Sequence, residues 1–394
     1  MPDLDTFREE TRRWLETNAP ASMRKPLTST DEACWGGKKG RYPDDTRKWL
    51  ATMAERGWTA PTWPREYGGG GLSNEEAKVV AQEMAKLRIR PALVGFGLTM
   101  IGPLLLQAGN EEQKRTHLPR IVRGEIRWCQ GYSEPGAGSD LAGLQTRAVR
   151  DGDDFIVNGQ KVWTSYADKA DWMFLLVRTA PEAPKHQGIS FLLMDMELPG
   201  VSVQPIKLIS GASPFCETFI ADVRVPVSNV VGQVNAGWSI AKMLLRFERN
   251  MIADVFKERD DRQRVLNLAR RYLDAESGRI PDPVLRDRIT QMEMDQAALD
   301  LTLTRSRDRL KTGQPPGPET SLFKLYGTEL NQRRRELMVE IAGPQGLGWE
   351  GPGFAPEELA MTRDWLRSRG NTIEGGTSEV QLNIIAKQVL GLPD

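Results

Sequence analysis

The sequence predicts a mainly α fold with a central β domain, and three changes of texture along its 394 residues lead to that reading. Helical periodicity runs to about residue 125, short β-rich runs separated by turn signals follow, and helical periodicity returns near residue 235. The expected domains are an N-terminal helical domain at 1–125, a middle antiparallel β-barrel domain at 126–234 and a C-terminal helical bundle at 235–394. The order is not an alternating βαβ one, which excludes a doubly wound dinucleotide-binding sheet.

Each element follows from its own signals. Apolar residues recur at helical spacing in Phe7–Asn18, Asp44–Arg56 and Asn74–Lys86, and again in GNEEQKRTHLPRIVRGE from Gly109. The middle region begins near Trp128. There TRAVR, the turn DGDD and FIVNG read as a hairpin, followed by WMFLLVRT, GISFLLMDM, VSVQPIKLI and ETFIADVRV. Val, Ile, Phe and Thr at this density, with regular turns, predict a compact antiparallel barrel or sandwich. Helices then resume over Gly237–Arg271, Pro283–Lys311, Glu319–Ala342, Glu357–Arg369 and Thr377–Leu390. The last has a hydroxyl N-cap at Thr377 or Ser378, and Gly391 with Pro393 ends it.

Composition removes several function classes. Lys plus Arg equals Asp plus Glu, 53 against 53, which argues against a nucleic-acid surface or a polybasic membrane anchor. The densest apolar run, Trp172–Val177, is far too short to span a bilayer, and the first residues read as a charged amphipathic helix rather than a signal peptide. Cys34, Cys129 and Cys216 are too far apart for a disulfide framework or a CxxC site, so no metal is expected. His117 and His186 are the only histidines. The expectation is a soluble cytoplasmic protein whose chemistry, if any, does not depend on histidine.

Two features point to chemistry. The stretch GYSEPGAGSDLAG, Gly131–Gly143, is by composition a surface turn, and alternatively a backbone cradle for a phosphate. In the helix GWSIAKMLLRFERNMIADVF, Glu248 falls on the apolar face, with Leu244, Leu245, Met251 and Ile252 at three and four residues either side. A carboxylate there loses hydration and has its pKa raised toward the range of a general base. Periodicity leaves open a buried ion pair with an Arg of a neighbouring helix.

Four motifs, in order along essentially the whole chain, then converge. WCQGYSEPGAGSD, VNGQKVWTSYADKADW, RFERNMIA and GGTSEVQLNIIAKQVLGLP resemble those of the FAD-dependent acyl-CoA dehydrogenases. The likeness is greatest to a bacterial branch of pimeloyl-CoA dehydrogenase large subunits and to mycobacterial enzymes of steroid side chains. The resemblance implies that Gln130, Tyr132, Ser133, Gly138 and Ser139 line the flavin, with Ser139 also meeting the acyl-CoA. It implies that Trp163 covers a face of the flavin ring and that Ser165 bonds near N5. Glu340, Gly343, Thr377 and Glu379 correspond to further cofactor contacts, and Arg249, Gly375 and Gly376 to the substrate side.

Many members place the catalytic Glu just before Gly-Thr near the C-terminus. Gly375 occupies that position here and cannot act as a base. Other members carry Glu-Arg on the long helix, where Glu248-Arg249 stands, so Glu248 is the expected base and Glu374 its rival. Two departures concern the adenine side. No Arg-x-x-Phe-Gly motif lies between Arg262 and Gln291, and Gln-x-x-Gly-Gly appears as Glu340-Ile-Ala-Gly343-Pro344.

The implied reaction is desaturation of an acyl-CoA to a trans-2-enoyl-CoA. A backbone amide near Gly375–Gly376 and a flavin ribityl hydroxyl polarise the thioester carbonyl, Glu248 takes the α-proton and flavin N5 the β-hydride. Implied partners are an electron-transfer flavoprotein and further subunits, as a homodimer, homotetramer or heterotetramer. Two alternatives stand beside this reading: a flavin oxidase or monooxygenase on the same fold, and one subunit of a heteromeric dehydrogenase. Dicarboxylic, branched, aromatic and steroid-derived acyl groups are all open.

Overall fold

The computed structural model describes residues 3–25, 27, 32–255, 260–273, 279–311 and 320–393, without the side chains of 246, 248–255, 260–263, 307, 310, 311 and 320. The chain divides into two units. One comprises residues 1–206 with 214–247, the other 207–213 with 248–394. No helix of the described residues is long and apolar enough to cross a membrane.

The first unit opens with α1 (Leu4–Asn18), α2 (Asp44–Glu55) and α3 (Asn74–Lys86), the last started by a capping box between Ser73 and Glu76. Their apolar faces meet around Leu15, Trp49, Met53, Trp58 and Val80. A π-helical turn, Gly97–Ile101, leads into α4 (Gly102–Ala108) and α5 (Glu111–Val122). Periodicity assigns no helix to the π-helical turn or to α4, whose residues are nearly all apolar apart from exposed Thr99 and Gln107.

Glu83 on α3 is fully buried and takes hydrogen bonds from Arg8 (2.9 Å), Arg12 (2.8 Å) and Lys86 (2.7 Å). Burial alone raises a carboxyl pKa, but these three cations outweigh it and bring Glu83 to about 2. The folded value is below the unfolded one near 4.5, so the contribution is complete above that pH and is lost as pH falls from about 4.5 to about 2. Glu83→Gln is expected to cost about 2 kcal/mol at pH 7, less than a wholly buried pair because the cations rehydrate. Urea unfolding at pH 7 and pH 3 checks this: the variant's deficit should shrink in acid.

The middle of the unit is one sheet of seven strands. They are β1 (Trp128–Gly131), β2 (Arg147–Asp151), β3 (Asp154–Lys161), β4 (Trp172–Arg178), β5 (Ile189–Asp195), β6 (Val201–Ile206) and β7 (Phe215–Pro226). β5 pairs with one edge of β4; β1 and β2 share the other, and β3, β7 and β6 follow. β4 and β5 are buried on both faces, which explains their unbroken apolar runs. One face joins Met173, Leu175, Val177, Leu192 and Met194 to the β core. On the other, Phe174 stacks on Phe191 at 6.2 Å, and His117 of α5 packs edge-on against Trp128 and Trp172.

The expected antiparallel barrel is corrected in two respects. β1 runs parallel to β4, and the sheet stays open, because among the described residues β5 and β6 do not pair. The chain at 230–236 covers the outer edge of β5 instead, through bridges Leu192–Val230 and Ile189–Ala236. With that edge blunted and a helix over the second face, closure is not needed to protect the sheet. Gln113 on α5 donates to the Ser228 and Val230 carbonyls, both at 2.8 Å, tying helices and sheet into one unit.

The helix α6 (Gly237–Val255) begins in the first unit, burying Ile240, Ala241 and Leu244 on one face. The second unit is helical: α7 (Asp260–Tyr272), α8 (Pro283–Lys311), α9 (Thr320–Ala342), α10 (Pro356–Ser368) and α11 (Ser378–Ile384). Its core gathers Val265, Ile289, Met292, Phe323, Leu330, Leu337 and Met361.

Candidate active site

The glycine-rich stretch folds as a tight turn leaving β1. Glu134 and Ala137 exchange both backbone hydrogen bonds, each 3.0 Å. Gly131 sits in the sheet because a Cβ there would lie 2.4 Å from the Met173 sulfur. A Cβ on Gly136 or Gly138 would meet nothing within 4 Å, so the outer side of the turn is open.

What holds the turn is an ion pair that pattern reading missed. Lys161 has 0 % relative exposure and Glu134 8 %. They meet at 2.8 Å. Glu134 also accepts from the Gln145 N–H (2.6 Å), the Thr146 N–H (2.9 Å) and the Thr146 hydroxyl (2.6 Å), while Lys161 donates to the Tyr132 carbonyl at 3.2 Å. Burial opposes ionisation of both. The Lys161 pKa falls to about 8, while Lys161 and the hydrogen bonds bring Glu134 below its usual range. Alternation along β3 had contained the signal, since Lys161 shares the inward register of Phe155 and Val157.

The same strand end brings a second motif alongside. The Val162 N–H donates to the Ser133 carbonyl at 2.9 Å, which sets Trp163–Ser165 beside the turn. Thr164 is buried, its hydroxyl 2.9 Å from both the Cys216 carbonyl and the Thr218 hydroxyl. Its neighbours therefore face outward: Trp163 is 53 % exposed at φ +59°, edge-on to Phe215, and Ser165 is half-buried. Gln130 and Ser133 are half-buried, and Gly138 and Ser139 exposed on the open side. Tyr132 turns its ring into the core against Phe174 and Phe191, leaving its backbone to the turn.

In the second unit, Gly375 and Gly376 adopt φ of +65° and +93° before Thr377, which caps α11 by accepting from the Val380 N–H at 3.2 Å. At φ +93° Gly376 holds a backbone conformation that residues with a side chain rarely adopt, which favours glycine there. The Glu379 carboxyl is held below the usual range by its own backbone N–H and the Thr377 hydroxyl. Glu374 accepts from Arg367 at 2.7 and 3.3 Å and from Asn371 at 2.5 Å. Gln332 on α9 donates to Thr372 and to the Ser368 carbonyl, both at 3.0 Å. Glu340 lies eight residues further along α9, about 12 Å away at 1.5 Å per residue, paired there with Arg288. Gly343 follows at φ +56°. The structure thus groups Gly375–Glu379 and sets Glu340 and Gly343 apart from them. Glu248 and Arg249 belong to α6, but their side chains lie outside the described residues.

FAD fits this chain's residues. An open backbone turn, two half-buried hydroxyls and an exposed indole lie side by side, as a flat, oxygen-rich ring system joined to a pyrophosphate requires.

Comparison with known proteins agrees. Residues 2–125, 129–223 and 235–390 match the N-terminal, middle and C-terminal domains described for acyl-CoA dehydrogenases. The chain is 34% identical over 395 residues to Acyl-CoA dehydrogenase IpdE1 of Mycobacterium tuberculosis, covering 100% of this chain and 99% of that one. It is 35% identical over 408 residues to Acyl-CoA dehydrogenase FadE26 of the same organism, covering 100% and 98%. Among solved structures, it is similar to the Tcur3481-Tcur3483 steroid ACAD, with TM-score 0.77 and 31% identity over 99% of this chain and 97% of that one. It is likewise similar to a chain of the ChsE4-ChsE5 complex from Mycobacterium tuberculosis, with TM-score 0.74 and 32% identity over 100% and 98%. The chain belongs to the acyl-CoA dehydrogenases, FAD-binding oxidoreductases that desaturate an acyl-CoA thioester between its α and β carbons.

Proposed function

We propose that Glu248 on α6 takes the α-proton of the acyl-CoA and that the outer face of the Gly131–Ser139 turn, with Trp163 and Ser165, holds the flavin. Bound FAD supplies the two-electron acceptor for the β-hydrogen. The observation behind the choice of base is the condition of its rival. Glu374 already accepts three hydrogen bonds, two from the Arg367 cation, so its carboxylate oxygens are engaged within its own segment. Its neighbour Gly375 has no side chain to offer. Glu248 stands four and seven residues after buried Leu244 and Ala241, continuing their stripe along α6.

Among the described residues the N–H groups of Gly375 and Gly376 donate to no acceptor. They are the proposed donors to the thioester oxygen, where enolate charge develops as the α-proton leaves. Gln130, Tyr132, Ser133, Gly138 and Ser139 of the turn serve the flavin, Thr377, Glu379, Glu340 and Gly343 its other contacts, and Arg249 and Ser139 the substrate. An electron-transfer flavoprotein would be the electron acceptor. The ChsE4-ChsE5 complex supports assembly with a second, non-identical subunit; otherwise the chain forms a homodimer or homotetramer.

Anaerobic titration of the FAD-loaded protein with a panel of acyl-CoA thioesters tests the reading. Bleaching of the flavin band by at least one thioester is expected. A flavin that no thioester bleaches, yet that reacts with oxygen once reduced, would transfer the assignment to the oxidase alternative.

A further inference from the structure

Two residues of the segment beside the flavin turn hold a backbone shape that bulky side chains avoid. Trp163 has φ +59° and Tyr166 has φ +55°, with Thr164 and Ser165 between them. The left-handed region is disfavoured once a Cβ is present, and an aromatic residue persists there only where its surroundings over-determine it. Around Trp163 the backbone does this. The Val162 N–H donates to the Ser133 carbonyl at 2.9 Å, and Thr164 exchanges bonds of 3.0 and 3.2 Å with Cys216. Tyr166 donates its N–H to the Pro214 carbonyl at 2.7 Å, and its carbonyl accepts from the Lys169 N–H at 3.0 Å. Its side chain supplies a further hold.

The Tyr166 ring is one corner of a triangle. The Arg127 guanidinium carbon lies 4.7 Å from the Trp35 centroid and 4.9 Å from that of Tyr166, and the two rings are 5.0 Å apart. A cation held over aromatic rings is worth more the less water reaches it, and Arg127 is only 8 % exposed. The other two corners are fixed by their own backbones. Arg127 donates its N–H to the Asp171 carboxylate at 2.7 Å, and its carbonyl accepts from the Asp171 and Trp172 N–H groups at 2.9 and 3.1 Å. The Trp35 N–H donates to the Tyr42 hydroxyl at 3.1 Å, and the Gly37 N–H to the Gly124 carbonyl at 2.9 Å. The cleft that Arg127 and Trp35 line with Phe96 and Trp128 is about 10 Å³, room for one water and no larger ligand. Arg127 therefore acts on its neighbours and not on a substrate.

We propose that Arg127 and Trp35 are positioning residues: by gripping the Tyr166 ring they keep Tyr166 left-handed, and so aim the Ser165 hydroxyl and the Trp163 indole at the flavin. The proposal rests on the reading that those two side chains meet the flavin, and names what aims them. The chain after Tyr166 is tied down, since Asp171 is bonded to Arg127 through both its backbone and its carboxylate. A change of φ at Tyr166 is therefore taken up by the residue before it, Ser165. Lys169 is the other cation near the ring, but it is exposed and 5.9 Å from the centroid, at the far limit of such a contact.

The test compares full-length, FAD-loaded Arg127→Met, Arg127→Lys and Trp35→Leu with the unmodified protein, and uses Trp163→Leu to report the flavin contact. Amide exchange read by mass spectrometry follows the segment itself, while flavin emission and anaerobic reduction by thioesters follow the site. In Arg127→Met, exchange over residues 162–170 is expected to rise about 10-fold or more while the rest of the β domain keeps its protection. Flavin emission should rise toward that of Trp163→Leu. Reduction should slow about 10- to 100-fold in kcat with KM nearly unchanged, the effect of misplacement by about 1 Å. Arg127→Lys keeps the cation and should recover most of each change, which a role in filling space would not produce. Trp35→Leu should reproduce Arg127→Met, and decides the matter if that variant does not fold. Unchanged exchange over 162–170 overturns the proposal. Raised exchange with flavin emission and kcat unaltered also overturns it, leaving the triangle a merely structural contact. Unaltered emission in Trp163→Leu overturns the flavin placement itself, and the proposal with it, whatever happens at Arg127. If no thioester reduces the flavin, the dehydrogenase reading fails, while exchange and emission still decide the role of Arg127.

Discussion

Glu248→Gln is expected to keep its FAD and its melting temperature while thioester-driven flavin reduction slows about 10²- to 10⁴-fold, the usual worth of a general base. The substitution keeps volume and hydrogen-bonding capacity, so it removes proton transfer and little else. Glu374→Gln is the matched control. It weakens the pair with Arg367, whose two side chains are each about a third exposed, and should cost under about 1 kcal/mol with flavin reduction within about threefold of normal. Rapid-mixing absorbance of the flavin band, with FAD content quantified first, separates the two cases. Reduction that survives in Glu248→Gln and disappears in Glu374→Gln reverses the assignment.

Lys161→Met is expected to release FAD and lower stability by about 3 kcal/mol, because it strands a buried carboxylate. Glu134 would keep its bonds to Gln145 and Thr146 but lose the cation 2.8 Å away, and the Tyr132 carbonyl would lose its donor. The turn that these contacts hold is the one proposed to cradle the flavin. The double variant Glu134→Gln/Lys161→Met should recover much of the stability, since no unpaired charge remains. Acid provides an independent check. The folded pKa of Glu134 lies below its unfolded value near 4.5, so below the alkaline range near 8 where Lys161 gives up its proton, the Glu134 contribution is complete above about pH 4.5 and is lost as pH falls through the folded value. FAD retention by the unmodified protein should therefore decline in acid, and more weakly in the double variant. Gel filtration with absorbance at the flavin band reads retention, and urea titration reads stability. A Lys161→Met protein with normal FAD content and unchanged melting would remove the ion pair from any role in the site.

The order helical, β, helical was legible because periodicity is a local property. Side chains at 3.6- or 2-residue spacing declare their buried face wherever the chain later packs. Thr377 as the cap of α11 and the apolar face of α6 at Ala241 and Leu244 were legible for the same reason. Motif order also pointed to the family, since four short segments with specific chemistry rarely recur together by accident.

Other features needed distant parts of the chain to meet. The open sheet depends on residues 230–236 reaching the edge of β5, and no strand pattern encodes which segment will cover an edge. The Glu134–Lys161 pair joins residues 27 positions apart, and Arg127 meets Trp35 across 92 positions of sequence (127 less 35). Charge at a single residue is visible in a sequence, but its cost depends on burial and on which partner arrives, and both are set only when the elements pack. Local pattern therefore determined the elements and the family, while long-range packing decided the shape of the sheet and what holds the turn.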